Sequence, residues 1–293
     1  MPSPSSLRVL SSITRPHIVA IGTLACLTFG HIFSGGYPWL AAGLCALDWF
    51  LVNLLNRVVD FGEDRVNAVA GTEHAWKHRK LIARGGLTVL VLSLVIQGVL
   101  VPALLPWRVA YHGLGLAYNW PLLPGKRRIK QLYGIKNTAS TTGFILTCFA
   151  YPLAVNPTLL PDVTPWTVLL VALFFFLFEI SYEIIYDLRD HAGDAAAGLP
   201  TFPVVHGVKG ATRIIDGLLL ASMLVVFGGW AAGVVPWRAA VMGTAPLIQL
   251  GLYKGMLRGG GVTSAHCTAL TWLGATLLAT YHAWELAGLP GAG

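Results

Sequence analysis

Apolar runs near the length that carries an α-helix across a hydrocarbon layer, about 20 residues, recur along this chain between short polar breaks. They fall at about 17–35, 38–60, 84–105, 107–121, 134–155, 164–188, 213–233, 236–256 and 263–287, and the fourth is short and carries Arg108 and His112. This pattern predicts an all-α integral membrane protein of nine transmembrane helices forming a single domain over 17–288, with a polar segment over 1–16 ahead of it. Residues 1–16 are rich in Ser and Pro and lack a small-residue cleavage site, so the first span is expected to be retained rather than removed as a signal peptide.

Composition strengthens the membrane reading. Charged residues make up 11% of the 293 and hydrophobic residues 55%, with a mean hydropathy of +0.66, whereas soluble domains carry roughly 25% charged residues. The four cysteines, Cys26, Cys45, Cys148 and Cys267, are scattered through apolar stretches without a C-x-x-C pair. They are expected to be packing residues, neither a disulfide frame nor a zinc site.

Charge then orients the spans, because cytoplasmic loops collect Lys and Arg. With the N-terminus in the cytoplasm, 18 of the 20 basic residues fall on the cytoplasmic side and only Arg108 and Arg238 fall outside. Nine spans then leave the C-terminus outside. The net charge of +7 follows from this membrane-surface asymmetry and calls for no nucleic acid. The expected location is the inner or cytoplasmic membrane of the cell, with membrane lipids as surroundings.

Two acidic clusters close apolar runs on that cytoplasmic side. In N-R-V-V-D-F-G-E-D, Asn56, Asp60 and Asp64 stand at i, i+4 and i+8, one face of a continuing helix. In D-L-R-D-H-A-G-D, Asp187, Asp190 and Asp194 repeat the arrangement with spacings of three and four. Carboxylates at the edge of a hydrocarbon layer are costly without a cationic partner. Facing one another, the two clusters would suit Mg²⁺, which takes hard oxygen donors and keeps room for substrate phosphate. The loop with Lys126, Arg127, Arg128, Lys130 and Lys136 would suit phosphate oxygens. A diphosphate at the membrane surface with its tail in an apolar bundle describes a polyprenyl diphosphate. Metal and basic groups would stabilise its departure, and aromatic walls would shield the allylic cation left behind.

Deeper acids extend the picture. Asp48 and Glu179 lie within spans, where a charged carboxyl costs about 2.5 to 3.5 kcal/mol on insertion scales. Both are expected to face a cavity. Asp48 lies about 18 Å along its helix from Asp60 and is too far to share a metal, whereas Glu183 lies only about 6 Å from Asp187. Glu183 is therefore expected to face an acceptor or to support the metal ligands, and Asp48 to be a protonated or hydrogen-bonded packing group.

These residues resemble the UbiA superfamily of intramembrane prenyltransferases. Asn56, Asp60 and Asp64 match its N-x-x-x-D-x-x-x-D motif, and Asp187, Asp190 and Asp194 its second aspartate-rich motif. Gly198, Pro200, Thr201, Pro203 and Gly207 resemble the usual continuation. Glu183 resembles the glutamate that precedes this motif in some branches, and Tyr118, Pro121, Arg128, Lys130, Lys136 and Asn137 resemble the Tyr-Pro-basic stretch between the fourth and fifth helices. The resemblance implies a UbiA-type bundle around a central cavity that opens to lipid. It also implies Mg²⁺-dependent transfer of a prenyl group from a polyprenyl diphosphate to an aromatic or other lipophilic acceptor, at a site facing the cytoplasm. Asn56, Asp60, Asp64, Asp187, Asp190 and Asp194 would hold metal, Tyr118, Arg128, Lys130, Lys136 and Asn56 the diphosphate, and Glu183 would join the aspartates in catalysis. Position 57 is Arg where many members carry a further Asp, and the loop after Asp64 lacks the Arg-Pro pair common there. A cyclase using the same site without an acceptor, giving a terpene, is the alternative expectation; a secondary transporter, which would place its acids at broken helices near the midplane, ranks below both.

Overall fold

The computed structural model describes residues 6–66 and 69–288, so the start of the polar N-terminal segment, residues 1–5, lies outside the described residues. Among the described residues the chain is helical throughout, with a lone β-bridge between Leu123 and Arg127. A short helix α1 (Ser6–Thr14) leads through Arg15, which adopts a left-handed conformation, into α2 (Pro16–Ser34). Pro16 at the first position of α2 needs no intrahelical N–H bond, and Gly35 caps the other end with φ of 73°. There follow α3 (Trp39–Val59), the short α4 (Phe61–Val66) and α5 (Thr72–Lys77), then α6 (Arg79–Leu100), α7 (Leu105–Asn119) and α8 (Ile135–Ile145). After α8 the backbone widens into a π turn over Leu146–Ala150 and re-enters α9 (Tyr151–Val155). The long α10 (Pro165–Ala196) and α11 (Phe202–Ala231) pack along each other, and α12 (Trp237–Ala240), α13 (Thr244–Arg258) and α14 (Ser264–Leu286) complete the chain.

Six segments are long and apolar enough to cross a membrane: Pro16–Ser34, Trp39–Val59, Arg79–Leu100, Ile135–Val155, Pro165–Ala196 and Phe202–Ala231. The other three expected spans are helical but fall short by that measure. α7 and α13 have 15 residues each, and α14, with 23, lacks the hydropathy. Neighbouring contacts close a ring in the order α2, α3, α7, α8, α10, α11, α13, α14 and back to α2. α6 lies outside the ring against α3, and its Val91, Val95, Ile96 and Val99 are exposed, the outward apolar face that lipid requires. All four cysteines are buried free thiols, as their apolar settings predict.

Two expectations change. Asp48, expected to face a cavity, does not line it and is fully buried against the equally buried Arg108, one of the two basic residues that the charge count left on the outer side. Arg108 Nε and Nη2 donate to the two oxygens of Asp48, at 2.8 and 2.5 Å, and Asp48 also accepts from Tyr151 Oη at 2.9 Å and bonds His112 Nε2 at 2.9 Å. The positive-inside rule describes loops, and this guanidinium is held by a carboxylate instead. The first acidic stripe also does not lie on one unbroken helix: α3 ends at Val59, and Asp64 belongs to α4. The ladder nonetheless continues, because Asp60 N–H donates to Asn56 O at 2.9 Å and Asp64 N–H to Asp60 O at 2.8 Å.

Candidate functional site

The ring encloses a cavity of about 260 Å³. Phe29, Trp49, Phe144, Phe174, Phe175 and Phe178 wall its deeper part, and Arg15, Asn53, Asn56, Tyr118, Asn119, Ser140 and Glu183 line it toward the acidic helix ends. A second, smaller hollow lies between α4 and the end of α10, lined by Gly62, Glu63, Val66, Asp194 and Leu199. The two acidic clusters therefore face each other across one end of the bundle.

Each carboxylate there is met by a cation of the chain itself. Lys130, a buried side chain, donates to Asp60 and Glu63, both at 2.5 Å, and Arg128 donates to Glu63 at 2.9 Å. Burial pushes the Glu63 carboxyl up, but the bond and charge of Lys130 and the charge of Arg128 outweigh it and hold the group below its ordinary value. Lys136 reaches Asp187 at 2.7 Å and Asp194 at 3.3 Å, while Asn137 Nδ2 donates to the other Asp187 oxygen at 2.8 Å. Arg189 forks onto Asp190 with bonds of 2.7 and 2.5 Å. Arg57 holds Asp64 at 2.6 Å and donates to Ser12 O at 2.9 Å, which ties α1 to α3 and α4. Arg57, one of the departures from the resemblance, thus has a partner in the motif.

The expected residues sort into groups. Asp60, Arg128 and Lys130 meet in one group and Asp187, Asp194 and Lys136 in another, while Asn56 lines the cavity and accepts from Asn119. Tyr118 and Glu183 also line the cavity, with Ser140 Oγ donating to Glu183 at 2.6 Å. Asp64 and Asp190 are each turned to an arginine. Contributions that sequence reasoning missed are Glu63, Asn119 and Ser140. Glu63 had a signal, standing three residues after Asp60 on the same helical face; Asn119 and Ser140 did not, because their roles depend on which helices pack together.

The donor set fits a hard divalent cation. It is composed of carboxylate and amide oxygens, and beside each cluster a buried amide oxygen lacks a donor. Asn119 bonds Asn56 Oδ1 through its Nδ2 at 2.5 Å and leaves its Oδ1 unpartnered, and Asn137 Oδ1 is likewise unpartnered. Among the described residues no three acid, His or Cys side chains already converge as an ion site, since the lysines and arginines occupy the carboxylates.

The fold and site define a helical bundle with six segments long and apolar enough to cross a membrane, and with paired acidic clusters at the mouth of an aromatic-walled cavity. The chain belongs to the UbiA prenyltransferase family, whose model matches residues 16–269. It is 35% identical over 95 residues to digeranylgeranylglyceryl phosphate synthase of Methanopyrus kandleri, a match covering 32% of this chain and about a third, 33%, of that protein. A UbiA homolog from Archaeoglobus fulgidus bound to GPP and Mg²⁺ superposes with a TM-score of 0.68 at 15% identity, covering 93% of this chain and 97% of that one. The same homolog bound to DMAPP and Mg²⁺ gives 0.67 at 15% identity, over 92% and 96%. A structure of a digeranylgeranylglyceryl phosphate synthase gives 0.59 at 16% identity, over 98% of each chain. These structural likenesses establish the fold.

Proposed function

We propose that this protein is a Mg²⁺-dependent intramembrane prenyltransferase that ionises a polyprenyl diphosphate and transfers the prenyl group to an aromatic or other lipophilic acceptor. The observation that carries this reading is the meeting of two charge-paired acidic clusters at the polar mouth of an aromatic cavity. Family membership and the relatives described as bound to Mg²⁺ with GPP or DMAPP support it.

Asn56, Asp60, Asp64, Asp187, Asp190 and Asp194 would hold the metal, with Asp64 and Asp190 released from or steadied by Arg57 and Arg189. When bound, Mg²⁺ supplies positive charge to the leaving diphosphate. Lys130, Arg128 and Lys136, now resting on carboxylates, would turn to the diphosphate oxygens, where charge-assisted bonds are strong. Tyr118 and Asn56 would orient the head. The C1–O bond breaks with its electron pair leaving on the diphosphate, the acceptor bonds to C1, and the acceptor's proton passes to Glu183, which Ser140 steadies. Trp49 and the phenylalanines would shield the allylic cation with their ring faces and keep water away. The full arrangement is a single multi-pass domain over 17–288 crossing nine times, with the N-terminus and the site facing the cytoplasm and the C-terminus outside.

Purified protein supplied with geranylgeranyl diphosphate, Mg²⁺ and a panel of lipophilic acceptors should release diphosphate and form a prenylated product seen by mass spectrometry, and chelation should abolish both. Asp60→Ala and Asp187→Ala should each lower turnover by about 10²-fold or more. Full activity in either variant refutes the metal assignment. A ring-closed terpene formed without acceptor would make the protein a cyclase.

A further inference from the structure

The cavity holds one acid that the reaction as described leaves without a task. Glu179 lies on α10 two helical turns below Asp187, is 6% exposed and lines the cavity. Among the described residues its carboxyl makes no hydrogen bond or ion pair. Gln249 of α13, which lines the same cavity, donates Nε2 to Ser181 Oγ at 3.0 Å and leaves Oε1 without a donor. Both oxygens face the open cavity, and a hydrocarbon tail laid over them would offer no donor and leave a polar group buried without a partner, at about 1–3 kcal/mol. The deep part of the cavity is therefore built to receive a hydrogen-bond donor as well as an apolar chain.

The level of that donor follows from the helix. Glu179, Glu183 and Asp187 stand at i, i+4 and i+8, so each lies about 6 Å further along α10. Diphosphate belongs at the level of Asp187, and the reacting C1 and the proton it displaces belong at Glu183, which leaves Glu179 one step beyond the new bond. We propose that Glu179 is a specificity-determining residue for the acceptor: it accepts a hydrogen bond from an O–H group other than the atom alkylated, so the acceptor is a lipophile that carries a second hydroxyl. This rests on the transferase reading above.

The test compares an alkylated p-diphenol and an alkylglycerol, each beside its mono-O-methyl ether, with geranylgeranyl diphosphate as donor. Wild-type protein should favour a free-hydroxyl compound over its ether by about 2- to 10-fold, the span of one ordinary hydrogen bond. Glu179→Leu should erase that preference by raising the acceptor KM while the KM for geranylgeranyl diphosphate moves less than about threefold, and Glu179→Gln, which keeps an acceptor oxygen, should fall between. A structural role alone would move both KM values together. Binding without turnover, followed by quenching of Trp49, which lines the same cavity, should show the same preference and the same loss. An unchanged preference in Glu179→Leu, or a wild type that prenylates the ethers as well as the diols, overturns the proposal. If wild type releases no diphosphate at all, the proposed function fails, and the binding measurement still decides whether Glu179 selects hydroxyls.

Discussion

At the scale of single residues, the most consequential arrangement outside the site is the Asp48–Arg108 pair. Both side chains are fully buried, and the carboxylate's two oxygens take four bonds between them, two from Arg108 and one each with His112 and Tyr151. Arg108 also donates to Ser93 O and Ser93 Oγ, at 3.1 and 3.0 Å, so one ion pair links α3, α6, α7 and α9. Removing one member of such a pair leaves the other charged and unpaired in a dry interior, a loss of about 3–5 kcal/mol. Asp48→Ala should therefore lower the unfolding midpoint in detergent strongly, and adding Arg108→Leu should restore much of it. A double variant no more stable than Asp48→Ala would show that the pair does not act as a unit. The sequence offers Asp48 as a hydrogen-bonded packing group because a lone acid inside an apolar run has few other options, but it does not offer Arg108 as its partner. The two are 60 positions apart, and nothing local announces that α7 brings one against the other. The acidic motifs are legible for the opposite reason: Asn56, Asp60 and Asp64 are spaced by the helix's own repeat, so their shared face can be read without knowing any neighbour.

At the scale of elements, the π turn over Leu146–Ala150 shapes the cavity wall. Tyr151 N–H reaches back five residues to Leu146 O, and Pro152, which follows, has no N–H to offer and would crowd the carbonyl four residues before it in a regular helix. Widening the turn accommodates the proline without ending the span. The same turn presents Thr147, whose Oγ1 accepts from Trp49 Nε1 at 3.0 Å and fixes the indole against Phe144, with ring centroids 4.2 Å apart. Thr147→Val should leave the buried indole N–H unpartnered at a cost of about 1–3 kcal/mol and shift the Trp emission, whereas Thr147→Ser should behave as wild type. Equal stability of the Val and Ser variants would show that the bond does not hold Trp49. Elements of this kind explain where the sequence reading stops. Apolar runs mark both α13 and α14 as spans, yet α13 is only 15 residues long and α14 carries enough polar and small residues, such as Thr271 and Gly274 on the cavity, that its hydropathy is diluted by the surface it encloses.

At the scale of the whole molecule, the ring order and the distribution of charge make a joint statement about orientation. The acidic ends of α3 and α10, the basic loop before α8 and the starts of α2 and α6 all gather at one end of the bundle, because successive long helices run in alternating directions. If that end faces the cytoplasm, as proposed from its Lys and Arg content, then Arg127, exposed in the loop after α7, lies inside, and Thr158, exposed in the loop between α9 and α10, lies outside. The four native cysteines are buried, so single cysteines placed at these points should report with little background. A maleimide that does not cross membranes should label Thr158→Cys on intact cells and Arg127→Cys only in inverted vesicles. The reverse pattern would put the acidic clusters on the outer face, away from a cytoplasmic supply of prenyl diphosphate, and would overturn the proposed direction from which substrate enters. Labelling of both positions from one side would break the alternation itself and with it the nine-crossing arrangement, since an odd number of crossings between residues 127 and 158 is what separates them.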